Sequence, residues 1–221
     1  MKLYTYFRSS AAYRVRIALH IKDVDFDTLG VHLLRDGGEQ HTEHYRKLNP
    51  QARVPTLVHG EYVLTQSLAQ LEYLEEHLPG PALLPASPQA RARVRSLAYV
   101  IACDIHPLQN LSVLNYLDDE LEASDEQRKQ WCQHWIGRGL DAFEELVARD
   151  AQTGRCCHGD CPTLADICLI PQLYNARRFE CGVGRWPTIE RIEAHCLSLK
   201  PFSDAHPERQ PDTPEQLRAQ D

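Results

Sequence analysis

Hydrophobic and polar positions follow different patterns in the two parts of this 221-residue chain. Up to residue 80, short apolar runs bounded by turn residues alternate with segments of helical periodicity, which predicts the order β-α-β-α-β-β-α. The predicted strands are 2–6, 25–32, 56–58 and 62–64, and the predicted helices are 11–22, 42–47 and 67–77. A βαβ unit followed by an antiparallel hairpin and a closing helix predicts a compact α/β domain over residues 1–80.

The pattern changes after residue 80. The stretch 79–88 contains four prolines and is typical of a connection without helix, so a linker is expected at 81–88. Everything that follows has helical periodicity, which predicts an all-α domain over 89–221.

Local signals divide the helical part further. Ser124 with Gln127 forms a capping-box pattern, and Thr163 opens another apolar helix. Pro107 predicts a kink in the helix that contains it. The polar, proline-rich end of the chain from His206 onward predicts an extended tail.

Charge and apolar content exclude several classes of protein. Asp and Glu number 31 against 24 Lys and Arg, which gives a net charge of −7 and argues against a general nucleic-acid or anionic-membrane binder. No apolar run has the length of a membrane span, and the start of the sequence lacks the pattern of a secretory signal. We therefore expect a cytoplasmic protein that binds neither nucleic acid nor membrane and holds anionic ligands by a local basic cluster.

Eight cysteines lie between Cys103 and Cys196. A chain of this size with this much helix-forming sequence does not need a disulfide framework. Cys156, Cys157, His158 and Cys161 form the densest group, but the paired Cys-x2-Cys spacing of zinc sites is absent. The sequence therefore predicts buried or loop thiols and no metal site.

The first candidate site lies where the first strand meets the first helix. Backbone N–H groups at a helix start lack partners and favour an anion, and Arg8, Arg14 and Arg16 add positive charge nearby. A hydroxyl of Ser9 or Ser10 placed there can donate to a thiolate or carboxylate. Either serine can equally serve only as an N-cap, so both interpretations stay open.

A second candidate site combines two neighbouring features. Ser67 and Gln70 fit a capping box at another helix start, where Gln66 also lies. Val54 precedes Pro55 just before the third strand, and a cis bond there would turn the N–H and C=O of Val54 toward an extended, peptide-like ligand. Two helix starts in one domain suggest a ligand with a carboxylate at one end and a thiolate near the other.

The helical part carries two further groups of polar residues. His106 stands among polar residues beside Pro107, which indicates either a hydrogen-bonded core histidine or a residue that lines a pocket. Arg177 and Arg178 end an apolar helix, where they can clamp a substrate carboxylate or balance the helix dipole.

These motifs, in this order, resemble the zeta class of the glutathione transferase superfamily. The resemblance covers nearly the whole chain and implies a thioredoxin-like N-terminal domain that binds glutathione, an all-α C-terminal domain that supplies the acceptor pocket, and a homodimer. The motifs are Tyr6–Ser10, Arg14–Leu19, Leu48–Pro50, Val54–Thr56, Gln66–Ala69, Leu108–Val113, Gly159–Asp160, Thr163–Asp166 and Arg209–Pro214.

The resemblance also implies roles for individual residues. The hydroxyl of Ser9 or Ser10 stabilises the glutathione thiolate, and Val54 before a cis Pro55 pairs with the cysteinyl backbone. Arg8 and Arg177 are the residues expected to hold the carboxylates of the substrate. The other implied glutathione contacts are Ala11, Gln40, Gln66, Ser67, His106, Asn110, Leu111 and Ser112.

The implied activity is glutathione-dependent cis–trans isomerisation of a small dianionic maleyl-type acid. The favoured reaction converts maleylacetoacetate to fumarylacetoacetate in tyrosine and phenylalanine breakdown, by thiolate addition, bond rotation and elimination. The alternatives are the same chemistry on maleylpyruvate, a general zeta-class transferase or haloacid dehalogenase, and a glutathione-binding protein without catalysis. Ala11 and Ala12 depart from the zeta motif, which usually has cysteine and serine there, so a thiol and a hydroxyl near the glutathione sulfur are missing.

Overall fold

The structure, a computed structural model, describes residues 1–182 and 184–219. They divide into two compact units. The first unit contains Met1–Ala82 together with the chain from Ser198 onward, and the second contains Leu83–Leu197.

A four-stranded mixed sheet forms the centre of the first unit, with the strand order β2-β1-β3-β4. The strands are β1 (Lys2–Thr5), β2 (Asp27–Gly30), β3 (Thr56–His59) and β4 (Tyr62–Leu64). β1 runs parallel to β2 and antiparallel to β3, and β3 and β4 form the predicted hairpin. Leu3 of β1 is fully buried, as expected of the inward-facing position of a strand whose side chains alternate between faces.

The helices complete the two units. They are α1 (Ser10–Ile21), α2 (Glu43–Leu48), α3 (Ser67–His77), α4 (Pro88–Tyr99), α5 (Leu111–Asp119), α6 (Asp125–Ala148), α7 (Leu164–Arg178), α8 (Pro187–Leu197) and α9 (Lys200–Asp204). In the first unit, α1 packs against α3 and α9. None of the described helices is both long enough and apolar enough to cross a bilayer.

Two helix starts in the second unit confirm their sequence signals. Ser124 and Gln127 form the predicted reciprocal capping box at the start of α6. At the start of α7, the fully buried carboxylate of Asp166 accepts hydrogen bonds from the backbone N–H groups of Thr163 at 2.8 Å and Cys157 at 2.7 Å. Pro171 lies inside α7 without ending it.

The helix that contains Pro107 does not simply kink. After α4 the backbone widens into a π-helical turn over Val100–Ile105 and then tightens into a 3₁₀ turn over His106–Gln109. Proline has no N–H for a helical hydrogen bond, and the irregular turns change the backbone path around it. π-helical turns are frequent at functional sites. His106 follows this one directly, as the first residue of the 3₁₀ turn.

The end of the chain corrects the predicted organisation. The sequence predicts an all-α domain over 89–221 with an extended tail from His206, but the chain from Ser198 belongs to the first unit. Residues 220 and 221 lie outside the described part of the chain. The tail contains 3₁₀ turns at Pro207–Arg209 and Glu215–Leu217.

Long-range hydrogen bonds from α1 explain this difference. The Tyr13 hydroxyl donates to the carbonyl of Phe202 at 3.2 Å, and Nε of the fully buried Arg16 donates to the carbonyl of Ala205 at 3.1 Å. The two residues of each pair are 189 residues apart, so no local sequence pattern predicts these hydrogen bonds.

A matched pair of glycines in α6 provides a test of the packing around the π-helical turn. A Cβ at Gly139 would overlap the Ile105 side chain, whereas one at Gly137 would meet only the end of Arg185 at 3.5 Å. Gly139→Ala should therefore lower the free energy of unfolding by about 1–3 kcal/mol, and Gly137→Ala should raise it by roughly 0.5–1 kcal/mol. Urea unfolding measures both, and equal effects of the two substitutions would contradict the packing described.

Candidate active site

Ser9 is the N-cap of α1. Its Oγ accepts a hydrogen bond from the Ala12 N–H at 3.2 Å, and its own N–H donates to the Tyr6 carbonyl at 3.0 Å. Ser9 is half-buried, whereas Ser10 is buried as the first residue of the helix. Because a hydroxyl accepts and donates at the same time, Ser9 can cap α1 and still donate its proton to an anion. Capping and anion binding are therefore compatible at this residue.

The predicted basic cluster around this helix start is only partly formed. Arg14 and Arg16 are buried, and Arg16 donates to Thr5 Oγ1 at 3.0 Å and to the Phe7 carbonyl at 2.8 Å. Arg8 is half-buried, with its guanidinium 5.8 Å from the Tyr6 ring centroid. The buried arginines therefore serve the fold, and Arg8 remains the arginine of this group at the surface.

The Val54–Pro55 peptide bond is cis, as the resemblance implies. The carbonyl of Arg53 accepts hydrogen bonds from the Tyr45 hydroxyl and from Asn49 Nδ2, each at 2.7 Å. The carbonyl on the other side, that of Pro55, accepts from Gln70 Nε2 at 3.1 Å. Val54 thus lies between two anchored carbonyls, which fix the direction of its own backbone groups.

The start of α3 corrects the predicted capping box. Gln66, at φ +65° and ψ +111°, is the N-cap, and Ser67 is the first helical residue. The Gln70 side chain does not return to the helix start, because it also donates to the Leu64 carbonyl at 2.7 Å. Ser67 Oγ instead accepts from Arg14 of α1 at 3.3 Å, so this arginine joins α1 to the start of α3. A non-glycine residue at positive φ, such as Gln66, is a strained conformation that clusters at functional sites.

The Gln40 side chain is buried, and the described residues satisfy only part of its hydrogen-bonding capacity. Its Nε2 donates to the Leu33 carbonyl at 3.2 Å, and its buried Oε1 has no hydrogen-bond partner among the described residues. Buried amide oxygens are normally paired. The arrangement therefore fits a ligand that brings an N–H donor.

The second unit contains the other predicted contacts, which are near one another in sequence. His106 begins the 3₁₀ turn, and Asn110 is the N-cap of α5. Asn110 Oδ1 accepts from the Ser112 N–H at 3.1 Å and from its hydroxyl at 3.0 Å. These two side chains therefore hold the start of α5 together.

Arg177, the expected carboxylate ligand, is already paired. Both terminal nitrogens of its guanidinium donate to the two carboxylate oxygens of Glu193, whose side chain is only 6% exposed. This pairing raises the pKa of Arg177. The neighbouring Arg178 is arranged differently, because its Nη1 donates to Asn175 Oδ1 at 2.6 Å.

Arg178 ends a relay of side-chain amides. Gln109 Nε2 donates to Gln172 Oε1 at 2.6 Å, and Asn175 Nδ2 donates to Gln109 Oε1. All three amides are buried, whereas Arg178 is exposed. Buried, mutually hydrogen-bonded amides define one geometry, so the relay fixes the direction of Asn175 and of the arginine that it holds.

Comparisons with known proteins decide the family. The model of the glutathione S-transferase N-terminal domain matches residues 1–76. The maleylacetoacetate isomerase of Pseudomonas aeruginosa is 50% identical over 215 residues, which are 97% of this chain and 99% of that protein. A solved maleylpyruvate isomerase, described as a bacterial zeta-class glutathione S-transferase, is 45% identical, with a TM-score of 0.94 over 97% of this chain and 100% of that one. The chain belongs to the zeta class of the glutathione transferases.

A further relative was solved with ligands. The maleylacetoacetate isomerase of Methylobacterium extorquens AM1, with bound malonate and glutathione, is 41% identical and has a TM-score of 0.94 over 97% of this chain and 100% of that one. These likenesses confirm the predicted thioredoxin-like fold with an attached helical part.

This zeta-class chain also contains candidate site residues that no motif in its sequence singled out. These are Gln172 and Asn175, which precede the already identified Arg178 at intervals of three on α7, and this spacing places side chains on one helix face. Polar residues at such intervals in an apolar helix are the signal that marks them. The role of Asn49 beside the cis proline has no comparable local signal.

The cysteines of this transferase are mostly buried. Burial raises the pKa of Cys132 to about 12 and that of Cys157 well above its usual value. Ligand atoms of Cys156, Asp166 and Cys196 lie within 4.8 Å of one another. The carboxylate of this group already accepts hydrogen bonds at the start of α7, and the absence of a metal stays a prediction.

Proposed function

We propose that the protein is a glutathione-dependent cis–trans isomerase that converts maleylacetoacetate to fumarylacetoacetate in tyrosine and phenylalanine breakdown. The observation that carries the proposal is the half-buried hydroxyl of Ser9 at the N-terminus of α1, in a chain that is 50% identical to a maleylacetoacetate isomerase over nearly its whole length. A hydroxyl and a helix N-terminus together lower the pKa of a thiol.

The residues of the first unit fit glutathione. The backbone of Val54 offers an N–H and a C=O to the cysteinyl residue of the tripeptide, as an added strand does. The buried Oε1 of Gln40 accepts from a ligand amide. The start of α3 at Gln66 and Ser67 receives the γ-glutamyl end, whose carboxylate the helix N-terminus favours.

When bound, glutathione supplies a thiolate that adds to the cis double bond of the substrate and leaves after rotation, so that the trans acid forms and the cofactor is regenerated. Ser9 donates a hydrogen bond to the sulfur and keeps it ionised. Arginine side chains stabilise the negative charge that develops on the adjacent carbonyl oxygen.

We give to Arg178 the substrate-binding role that the family resemblance implies for Arg177. The guanidinium of Arg177 is occupied by a bidentate pair with Glu193. Arg178 is exposed, and the neutral amide of Asn175 holds one of its nitrogens in a defined direction. We assign to Arg178 a contact with a carboxylate of a dianionic maleyl-type acid, and Arg8 keeps the carboxylate role that the resemblance implies for it.

Glutathione contacts are also proposed for the second unit. Besides His106, they come from the α5 start, whose N-terminal amides and Ser112 hydroxyl are oriented by Asn110. Ala11 offers only its backbone N–H to the sulfur, because it has no side-chain donor. A hydroxyl at the α1 start is retained despite Ala11 and Ala12, and a helix N-terminus favours an anion there.

The substrate alternative is maleylpyruvate. It rests on the solved maleylpyruvate isomerase, which is 45% identical with a TM-score of 0.94. Both acids require the same thiolate and the same carboxylate contacts, so the site residues do not change.

A homodimer and a cytoplasmic location complete the proposal. Tyr62 and Val63 on the edge strand β4 are 70% and 43% exposed, and an exposed apolar edge favours a partner surface. A second copy of the chain is the partner that the family resemblance implies.

The first experiment compares conversion of maleylacetoacetate and of maleylpyruvate, each with glutathione, without it, and with S-methylglutathione. The thiol-blocked analogue is the control for binding without a nucleophile. Glutathione-dependent conversion of the first acid at the higher kcat/KM supports the proposal, whereas preference for the second assigns the alternative. Binding of glutathione without turnover of either acid would contradict isomerase function.

A further inference from the structure

The end of the chain forms a folded strap, which we define as residues 206–219. Within it, Gln210 Nε2 donates to the carbonyl of His206 at 2.9 Å and Arg218 Nε donates to the carbonyl of Thr213 at 3.1 Å. Gln210 Nε2 also donates to the carbonyl of Asp204, just before the strap, at 3.0 Å. Gln210 and Thr213 are buried. The strap therefore has a defined conformation, although the polar sequence predicts an extended tail.

The strap contacts the loop that carries the candidate thiolate ligand. Asp212 Oδ2 accepts a hydrogen bond from the Phe7 N–H at 2.8 Å, across 205 residues of sequence. Its other oxygen, Oδ1, is buried and has no hydrogen-bond partner among the described residues. At the end of β2, a Cβ on Gly30 would lie 3.7 Å from the Asp212 Cβ, so the carboxylate sits close to the sheet.

The same loop is held from its other side by α1. The Phe7 carbonyl accepts from Arg16 Nη2 at 2.8 Å, and Nη1 of that side chain also reaches the Tyr6 carbonyl at 3.4 Å. Asp212 and Arg16 therefore fix the N–H and the C=O of one residue. Only Arg8 separates that residue from Ser9.

We propose that Asp212 is a positioning residue for the isomerase: by accepting from the Phe7 N–H, it holds the loop in the conformation that directs the Ser9 hydroxyl at the thiol. The proposal rests on the proposed function of Ser9. Asp212 touches neither cofactor nor substrate in this assignment, and its effect passes through the backbone.

The direction in which the thiol pKa changes distinguishes a positioning role of Asp212 from a purely electrostatic effect of its carboxylate. A carboxylate near a thiolate disfavours ionisation of the thiol, so removal of its charge alone lowers the thiol pKa. Loss of the Phe7 anchor lets the loop move and weakens the hydrogen bond from Ser9, which raises the thiol pKa. The two mechanisms therefore predict opposite shifts.

The test titrates the ultraviolet absorbance of the thiolate of bound glutathione in the full chain and its variants. Asp212→Ala should raise the thiol pKa by about 0.5–1 unit and lower kcat about tenfold, because small misplacements of a reacting group reduce the rate strongly. Asp212→Asn retains an oxygen acceptor for the Phe7 N–H without the charge, so it should restore a thiol pKa at or slightly below that of the wild type.

Asp204→Ala is the matched control, because this carboxylate lies just before the strap and pairs with Lys200. It should leave the thiol pKa unchanged, and urea unfolding of each variant reports any general loosening. An unchanged or lowered thiol pKa in folded Asp212→Ala would overturn the positioning role. Absence of any thiolate signal in the wild type would instead overturn the proposed function, so the two failures are distinguishable.

Discussion

Replacing Ser9 with alanine should lower the isomerase turnover by about 100- to 1000-fold, the range found when one hydrogen bond to a developing or stabilised anion is removed. The Ser9 hydroxyl is the half-buried donor at the start of α1, and its acceptor side is occupied by the Ala12 N–H. Without it, the pKa of the glutathione thiol should rise toward its value in water. Titration of the bound thiolate and single-turnover kinetics measure the two effects.

This test must distinguish the loss of the N-cap of α1 from the loss of thiol activation. Ser9→Ala also removes the N-cap of α1 and so costs about 1 kcal/mol of folding free energy, whereas glycine at an N-cap costs only a few tenths. Ser9→Gly should therefore lose thiol activation as fully as Ser9→Ala while it keeps most of the stability. If the stability losses alone explained the activity, the glycine variant would retain turnover.

Ser10→Ala is the second control, because the sequence leaves both serines open as the thiolate ligand. Ser10 is only 6% exposed and is the first residue of the helix, so its replacement should leave the thiol pKa close to that of the wild type. A raised thiol pKa in Ser10→Ala together with an unchanged one in Ser9→Ala would reverse the assignment.

The elements that the sequence predicts well are those set by neighbours in the chain. The bounds predicted for α3 agree with Ser67–His77, and the capping box at Ser124 opens α6 as expected. Helical periodicity, caps and a hairpin turn act over a few residues, so a single stretch of sequence carries the whole signal.

The same local logic fails where a distant partner competes for a side chain. Gln70 has the spacing of a capping box with Ser67, but it bonds instead to the carbonyls of Pro55 and Leu64. Arg16 has the charge of an anion-site residue, yet it is buried and donates hydrogen bonds to four oxygens of the adjacent loop, the first strand and the chain end. Sequence spacing identifies the residue type, and only the fold determines which partner it meets.

Arg177 and Arg178 show the same distinction within the candidate site. Both have the charge and the helix-end position of a carboxylate ligand, and the sequence gives no reason to separate them beyond the family resemblance. The deciding partners, Glu193 and Asn175, lie at different distances along the chain. A buried acid neutralises one arginine, and a neutral amide orients the other.

Arg178→Ala should therefore raise KM for the dianionic substrate by roughly 10- to 100-fold, since hydrogen bonds to a charged group contribute about 1.5–3 kcal/mol. The kcat and the free energy of unfolding should change little, because the side chain is exposed. Arg178→Lys should recover only part of the loss, because an ammonium group cannot make the planar two-point contact of a guanidinium.

Arg177→Ala should give the opposite pattern. It leaves the buried Glu193 carboxylate without its bidentate partner, and this should lower the free energy of unfolding by roughly 1–2 kcal/mol once the 45% exposure of the Arg177 side chain is taken into account. KM should stay near that of the wild type. Steady-state kinetics and urea unfolding of both alanine variants form a crossed test. A raised KM in Arg177→Ala with an unchanged KM in Arg178→Ala would return the role to Arg177, because it would mean that the ion pair opens when substrate binds.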